Sequence, residues 1–356
     1  MNSSWISPGE VVVVTGAGAG LGRAIVQSFA KRGARIGLVA RGRERLEDAK
    51  REVESLGGQA LVIVGDVADP ATTESAAEQT EAAFGPIDVR VNDAMTTVFS
   101  PFHEMRAQDF QRVTEVTYLG FVYGTMAALK RMRSRDHGTI VQVGSALAYR
   151  SIPLQSAYCG AKHAIVGFTD SIRTELIHDG SRVHITIVQM PALNTPQFSW
   201  CKSAMPRKAQ PVPPIFQPEV GAEAVYWAAH QRHREVFVGW STTQAILGQR
   251  LAPGVLDHVV ATTWEAQMYD GARNSDDAVD LYTPVPGHQS AHGSFDDRAK
   301  DHSWELQLTT RASWLSTALS NAAAYVLRKL SATPSPSTAR QSPSAVQHAQ
   351  AVSTAR

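Results

Sequence analysis

Near the start of the chain, an apolar run leads directly into a glycine-rich turn. Residues 11–15 read VVVVT, and Gly16, Gly20 and Gly22 precede an amphipathic stretch. Because glycine has no Cβ, backbone N–H groups and a helix N-terminus can approach a pyrophosphate closely. A strand, a glycine turn and a helix in this order predict a parallel α/β sheet with a dinucleotide site at its carboxyl edge.

The rest of the first 250 residues alternates between strand-like and helix-like patterns. Near-continuous apolar runs indicate strands that are covered on both faces, and the stretches between them have helical spacing. We therefore predict an α/β fold with a doubly wound parallel sheet and helices on both faces. The predicted strands are 11–15, 35–40, 60–65, 88–92, 139–143, 183–189 and 236–238, and the longest predicted helices are 107–132 and 157–177.

The end of the second predicted strand indicates which dinucleotide is bound. Sites for NAD usually place a carboxylate here for the adenosine ribose hydroxyls. This chain has Ala40 and Arg41 instead, with Arg43 close by. A guanidinium binds a 2′-phosphate through charge-assisted hydrogen bonds, so NADP is favoured over NAD. The alternative is that Arg41, Arg43 and Arg45 are only the solvated start of a helix.

A second group of residues points to redox chemistry. Tyr158 and Lys162 are four positions apart in a helical pattern, so they share a helix face. We expect the ammonium to lower the pKa of the tyrosine, which would make the phenol a general acid. Ser145 follows the strand 139–143 and is expected to hydrogen-bond the same substrate oxygen. A tyrosine–lysine pair alone is more often an ordinary surface pair, and the glycine turn is what supports the catalytic interpretation.

Taken together, these motifs resemble those of the classical short-chain dehydrogenase/reductase family, over residues 9–239. The family's glycine motif is matched by Thr15, Gly16, Gly20 and Gly22, and its catalytic residues by Ser145, Tyr158 and Lys162. Asp66 matches an adenine-contacting aspartate, and Thr195 matches the threonine that contacts the nicotinamide carboxamide. The cofactor-binding residues expected from the resemblance are Thr15, Gly16, Gly20, Leu21, Gly22, Arg41, Asp66, Val67, Asn92, Tyr158, Lys162 and Thr195.

The resemblance implies a Rossmann-like domain that exchanges a hydride with a nicotinamide cofactor. Tyr158 is then the general acid or base, Lys162 binds the nicotinamide ribose and lowers the tyrosine pKa, and Ser145 polarises the substrate oxygen. Family members dimerise through the two long helices, so the resemblance also implies a homo-oligomer.

The chain departs from the family pattern on the nicotinamide side. An Asn-Asn-Ala-Gly segment in the family is Asn92, Asp93, Ala94 and Met95 here, which adds a carboxylate and replaces a glycine by a thioether. The helical asparagine that many members use to hold a relay water is replaced by Thr117. We expect a rearranged water chain and a changed pocket wall on this side.

Composition excludes several other classes of protein. The net charge is +1 over 356 residues, without a basic stripe, so nucleic acid is not an expected partner. Two cysteines fit a reducing compartment, and the first residues lack a signal-peptide pattern, so we expect a cytoplasmic protein. His288, His292 and His302 have no cysteines or convincing second ligands near them, so we predict no metal site.

Four prolines lie between Pro196 and Pro218, and this segment is expected to form a long loop. Because this segment follows Thr195, we interpret Phe198, Trp200 and Met205 as lid or pocket-wall residues for an apolar substrate. A surface excursion with incidental aromatic residues is an equally good interpretation.

The domain organisation follows from a change in composition after residue 250. We expect a Rossmann-fold domain at 1–250, an irregular extension at 251–310, an amphipathic helix at 311–330 and a disordered tail at 331–356. The helix is expected to pack on the core or a partner, with contact to a membrane surface as the less favoured alternative.

The function predicted from these residues is an NADP(H)-dependent oxidoreductase that interconverts a carbonyl and an alcohol on a small apolar molecule. The alternative is a catalytically weak NADP-binding sensor or scaffold. Substitutions at Asp93, Met95 and Thr117 are the reason to retain that alternative.

Overall fold

A computed structural model describes residues 9–272 and 278–311. Its centre is a parallel sheet of seven strands, and these lie within one residue of the predicted positions. The seven strands are β1 Val11–Thr15, β2 Arg35–Ala40, β3 Gln59–Val64, β4 Val89–Asn92, β6 Thr139–Val143, β7 His184–Gln189 and β12 Glu235–Phe237. Their order across the sheet is β3-β2-β1-β4-β6-β7-β12, so the chain reverses direction across the sheet after β3.

Helices cover both faces of this sheet, as the alternating pattern predicted. The first valines of β1 show why: Val12 and Val14 belong to one buried cluster, and Val11 and Val13 belong to another on the opposite face. A strand buried on both sides has no polar face, which explains its continuous apolar sequence. The helices are α1 Gly20–Ala30, α2 Arg43–Ser55, α3 Pro70–Phe84, α4 Ala107–Thr114, α5 Gly120–Arg135, α6 Ser156–His178, α7 Gln197–Trp200, α8 Pro218–His230, α9 Trp240–Leu251, α10 Pro253–Ala261, α11 Thr263–Ala266 and α12 Trp304–Arg311.

The long helix predicted at 107–132 is confirmed and runs from Ala107 to Arg135. Residues Glu115–Leu119 form one turn of π-helix within it, between α4 and α5, which the sequence did not predict. A π-turn inserts an extra residue into the helix and is often found at functional sites. The turn therefore sets the position of Thr117, which lies inside it.

The segment 196–218 is more ordered than a loop. It contains α7 and three short strands, and their partners come from distant parts of the chain. The short strands of the molecule are β5 Val98–Phe99, β8 Ala192–Leu193, β9 Lys202–Ser203, β10 Arg207–Ala209, β11 Ile215–Phe216, β13 Met268–Ala272 and β14 Ala299–Lys300.

The extension after residue 250 starts with the helices α10 and α11 and returns through β13 to pair with β10. Residues 278–298 hold neither helix nor strand, and we call this segment the arm. One compact unit ends at Leu308 and a second begins at Thr309. Most of the predicted helix 311–330 and all of the tail 331–356 lie outside the described residues, and the predicted domain boundaries stay predictions. No helix within 9–272 or 278–311 is long and apolar enough to cross a membrane.

Candidate active site

A cleft with a volume of about 390 Å³ lies at the carboxyl ends of the central strands. Ligands of open α/β sheets bind at this edge. Most of the expected site residues line the cleft, which brings the two groups of motifs from the sequence into one place. The expected residues in its wall are Gly16, Gly20, Leu21, Arg41, Asp66, Val67, Ser145, Tyr158, Lys162 and Thr195.

The glycine turn has a shape that other residues cannot adopt. Gly16 and Gly20 have φ values of +78° and +57°, where L-residues are strained. A Cβ on Gly22 would lie 2.2 Å from the carbonyl oxygen of Gly16. Helix α1 then starts at Gly20 without a side-chain cap, and the N–H of Gly20 donates to the carbonyl of Ser290 over 3.0 Å. The turn is a cradle for a phosphate group that a side chain would fill.

Three expected cofactor-binding residues lie behind this wall. The hydroxyl of Thr15 accepts hydrogen bonds from the N–H groups of Asp93 (3.1 Å) and Ala94 (3.3 Å). Asn92 is fully buried and donates to Gln142 over 2.9 Å. Gly22 allows the turn to close. These residues therefore shape the cleft rather than line it.

Ser145, Tyr158 and Lys162 meet at the nicotinamide end of the cleft. The sheet edge positions Ser145, whose N–H donates to Gln189 over 2.6 Å and whose Oγ accepts from Leu147 N–H over 3.1 Å. Lys162 is 2 % exposed, and its Nζ donates to the carbonyl of Val143 over 2.7 Å. The same Nζ lies 5.5 Å from the centroid of the Tyr158 ring. The helix α6 and the end of β6 thus hold the three side chains together.

Burial is the main cause of the pKa shifts of Tyr158 and Lys162, contrary to the expectation from the sequence. The apolar surroundings raise the pKa of Tyr158, and a hydrogen bond with Ser145 opposes this only in part. Burial lowers the pKa of Lys162, and the charge of Asp93 opposes that shift. The expected lowering of the Tyr158 pKa is not seen, because burial, the largest cause, raises this pKa.

Asp93 lies directly beneath the glycine turn. A Cβ on Gly22 would be 2.8 Å from its Oδ2, and the N–H of Gly22 is hydrogen-bonded to its carboxylate. Burial raises the pKa of Asp93, and the nearby charge of Lys162 opposes that shift. Met95 lines the cleft beside it. The carboxylate that replaces the family asparagine is thus paired electrostatically with the lysine of the site.

Thr117 is fully buried in the π-turn and is fully engaged with the backbone of Thr96. Its hydroxyl accepts from Thr96 N–H over 3.0 Å and donates to Thr96 C=O over 2.8 Å. With its only proton used, this hydroxyl cannot donate to a relay water. Its position therefore supports the loop after β4.

The adenosine end of the cleft contains two residues that the sequence reasoning did not assign. Arg45 on α2 lines the cleft, is 7 % exposed, and lies over the ring of Trp200 at 4.7 Å. Asp280, in the arm, forms an ion pair with Arg41 over 2.9 Å. Arg45 recurs four positions after Arg41, which is a signal the sequence did carry. No signal in the sequence indicated that Arg41 would pair with Asp280. Asp66, which was expected to contact the adenine, forms an ion pair with Arg112.

Of the three residues expected to form a lid, two line the cleft. Phe198 packs against Phe99 and Phe295 with centroid distances of 6.1 and 6.0 Å. Trp200 lies at the adenosine end through its contact with Arg45. Met205 does not line the cleft and is buried in the cluster that contains Phe99, against which Phe198 also packs.

The residues present fit a dinucleotide. The glycine cradle fits a pyrophosphate, and the buried Nε of Arg45 has no hydrogen-bond partner within the described residues, so it is suited to an additional anion. Across 9–272 and 278–311, no three His, Cys, Asp or Glu side chains are grouped as a metal site requires. His288 contacts the carboxylate of Asp48. His292 contacts the carboxylates of Glu219 and Asp296.

Comparisons with known proteins support the resemblance to short-chain dehydrogenases. Residues 10–203 match the family model described as short chain dehydrogenase. An uncharacterized oxidoreductase of Bacillus subtilis is 30 % identical over 253 residues, which cover 70 % of this chain and 71 % of that protein. A fatty acyl-CoA reductase of Acinetobacter baylyi is 29 % identical and covers 64 % of this chain and 75 % of its own length. A 3-dehydrosphinganine reductase of Danio rerio is 33 % identical, with 63 % and 71 % covered.

Proposed function

This chain belongs to the short-chain dehydrogenase family of NAD(P)-dependent oxidoreductases, and on that premise we propose that it uses NADP(H) to interconvert a carbonyl and an alcohol. Tyr158 is the proposed general acid and base, and the substrate is a small, apolar molecule. The observation that carries this proposal is the convergence of Ser145, Tyr158 and Lys162 on the cleft that the glycine turn also lines. Neither motif alone specifies this chemistry.

The bound nicotinamide supplies or accepts the hydride, and the side chains of this chain handle the proton. The hydroxyl of Tyr158 is protonated at neutral pH, and burial, by raising its pKa, makes it a weaker acid than a free phenol. It therefore holds a proton to give to a substrate oxygen in the reducing direction. The single hydroxyl proton of Ser145, which is hydrogen-bonded to Tyr158, turns to the substrate oxygen when the substrate binds and orients it. The ammonium of Lys162 stabilises the phenolate that remains, because its position is fixed by Val143.

The preference for NADP rests on Arg41 and Arg45, which both line the adenosine end of the cleft. Two guanidinium groups favour the additional negative charge of a 2′-phosphate. The only carboxylate in direct contact with Arg41 among the described residues comes from Asp280, which lies outside the second strand and its turn.

An apolar substrate is supported by the apolar part of the cleft wall. This part of the cleft is formed by aliphatic, thioether and aromatic side chains, and an apolar wall selects substrates by the surface they bury. Two relatives carry names that refer to fatty acyl and sphinganine compounds, which agrees with this choice. The apolar lining consists of Val116, Leu147, Ile152, Met190, Leu193 and Phe198.

We also propose a homo-oligomer formed through α5 and α6 and a cytoplasmic location. Met126 on α5 is 64 % exposed and Ile177 on α6 is 72 % exposed, which supports the pairing of these helices with a second copy. Contact with a membrane surface through 311–330 remains the less favoured alternative.

The test is NADPH oxidation with a panel of aliphatic and aromatic ketones and aldehydes, for wild type and for Tyr158→Phe. We expect turnover with the more apolar members, and a loss of at least about a hundredfold in the variant because the proton donor is removed. Equal turnover by both proteins would refute the role of Tyr158. NADPH binding without turnover of any carbonyl by wild type would favour the alternative, a catalytically weak sensor.

A further inference from the structure

The arm, residues 278–298, contributes Asp280 and Pro284 to the wall of the cofactor cleft. At the adenosine end, Asp280 contacts Arg41. Further along the arm, the N–H of Gly20 in the glycine turn donates to the carbonyl of Ser290 over 3.0 Å. The N–H of Gly293 donates to the carbonyl of Asn194 over 3.2 Å. The arm is thus part of the cleft, although it lies outside residues 10–203 that match the family.

Arg41 uses much of its guanidinium on the arm. Its Nη2 donates to the backbone carbonyl of Asp280 over 2.5 Å and to Oδ2 of the same residue over 2.9 Å. Its Nη1 donates to the carbonyl of Leu281 over 3.3 Å. Both side chains of the ion pair are 19 % exposed. A cofactor phosphate that binds Arg41 therefore meets a carboxylate that already occupies this cation.

Arg45 is only partly satisfied by the arm. Its Nη2 donates to the carbonyl of Val285, and its Nη1 lies 3.9 Å from Oδ1 of Asp280. Its Nε is buried without a hydrogen-bond partner among the described residues. A buried donor left in this state is costly unless a ligand supplies the acceptor. The guanidinium thus has capacity for an anion besides Asp280.

The charges at this end favour exchange over simultaneous binding. Arg41 and Arg45 carry two positive charges, and Asp280 cancels one of them. A phosphate monoester at neutral pH carries a charge of about −1.5 to −2. Two guanidinium groups balance that charge only when Asp280 is absent, and like charges in a shared site repel each other.

We propose that Asp280 is a specificity-determining residue of the cofactor site. Its carboxylate occupies Arg41 and Arg45 in place of the 2′-phosphate, and NADP(H) binds by displacing it. The result is weaker discrimination between NADP(H) and NAD(H) than the two arginines alone would give. This inference rests on the proposed preference for NADP(H), because a ligand without the 2′-phosphate has no need to displace the carboxylate.

The exchange requires movement of the side chain rather than release of the arm. Leu281, the next residue, is 1 % exposed in a cluster with Val98 and Val113. The N–H of Phe295 donates to Oδ1 of Asn194 over 3.0 Å. Both parts of the arm are therefore fixed, and rotation of the Asp280 side chain is enough to remove its carboxylate from the two arginines. Arg41 keeps its hydrogen bonds to the backbone carbonyls of Asp280 and Leu281.

Asp280→Asn tests the proposal, since asparagine keeps the shape and removes the charge. The probes are 2′,5′-ADP and 5′-AMP, titrated calorimetrically into the full chain. We expect 2′,5′-ADP to bind about fivefold more tightly to the variant, as one partly exposed ion pair is removed, and the affinity for 5′-AMP to change by less than about twofold. The matched control is Asp297→Asn, which removes the same charge from an exposed position of the arm and should leave both affinities unchanged.

Other results would overturn the inference. An unchanged or weaker affinity for 2′,5′-ADP would show that Asp280 does not compete, and weaker binding of 5′-AMP would show that it serves the ribose hydroxyls. Asp280→Glu keeps the charge, so its affinity for 2′,5′-ADP should stay within about twofold of wild type. If Glu and Asn tighten binding alike, altered packing is the cause and the proposal fails. If wild type shows no preference for 2′,5′-ADP over 5′-AMP, the proposed use of NADP(H) fails instead.

Discussion

The two ends of the cofactor cleft are built in different ways. At the catalytic end, Ser145, Tyr158 and Lys162 come from one strand–helix unit, and backbone groups of β6 and β7 surround them. At the adenosine end, Arg41 and Arg45 come from the second strand–helix unit, but their partner Asp280 lies about 240 positions away in the arm. The catalytic end depends on the geometry of one strand and one helix. The adenosine end depends on how the arm packs against the second strand–helix unit.

This difference indicates where members of one fold can vary. The catalytic side chains must keep mutual distances that only a rigid strand and helix provide. The selection of a cofactor needs only a charge at one edge of the sheet, and a connection outside the core can supply or cancel it. Under the proposed function, the reacting groups lie within the core and the arm adjusts the selection of the cofactor.

The largest effect is expected at the catalytic end, from Lys162→Met. This change removes the ammonium next to Tyr158 and leaves the buried Asp93 without its neighbouring positive charge. Turnover should fall by at least about a hundredfold, as measured by NADPH oxidation at saturating cofactor. Lys31→Met, at an exposed lysine, is the control for the loss of one positive charge. Turnover within tenfold of wild type would break the comparison, since the catalytic end would then tolerate the loss of a central group.

A smaller effect is expected between the two ends, from Phe198→Ala. The ring lines the cleft and packs on Phe99 and Phe295. Its removal should raise KM for an apolar carbonyl by about tenfold and change kcat less. Phe102→Ala, at a side chain that is 71 % exposed, provides the control in steady-state kinetics. If KM is unchanged across the panel, Phe198 is a packing residue of its cluster only.

The smallest effect is expected within the arm, at His292. His292 lies between Glu219 (2.9 Å) and Asp296 (2.8 Å). Burial alone would lower the pKa of His292, but the hydrogen bonds that its ring donates to Glu219 and Asp296 outweigh burial and raise the pKa. A histidine with a raised folded pKa stabilises the fold fully below its unfolded pKa, about 6.5, and this stabilisation is lost as the pH rises through the folded value.

His292→Gln should therefore lower Tm by on the order of 1 °C at pH 5.5, with no difference from wild type at pH 9. Thermal melts of both proteins between these values measure the effect, and His302→Gln, at an exposed histidine, is the control. A difference that grows with pH would contradict the assigned ion pairs, because it would require a depressed histidine pKa.

The core was predictable from the sequence because its signals are local. The seven strands lie within one residue of their predicted positions, since a run buried on both faces has an unmistakable composition. The glycine turn was predictable for a steric reason, as Gly22 shows. The π-turn at Glu115–Leu119 was not, because one inserted residue hardly changes a helical pattern. The pairing of Arg41 with Asp280 was not predictable either, since sequence spacing carries no information on the docking of an irregular arm.

The chemistry of the site was predictable in kind but not in its electrostatics. The positions of Tyr158 and Lys162 predicted a shared environment, and the structure places Nζ 5.5 Å from the ring centroid. The expected lowering of the tyrosine pKa was wrong, because the sequence shows the neighbouring charge but not the extent of burial. Charges can be read from a sequence, whereas desolvation depends on the complete fold.

The most direct test of the central claim is the measurement of NADPH affinity and turnover on the same preparation of Tyr158→Phe. If chemistry and cofactor selection reside at opposite ends of the cleft, turnover falls by at least about a hundredfold while the Kd for NADPH stays within about threefold of wild type. Retained turnover would contradict the catalytic role of Tyr158, and a parallel loss of NADPH affinity would contradict the separation of the two ends.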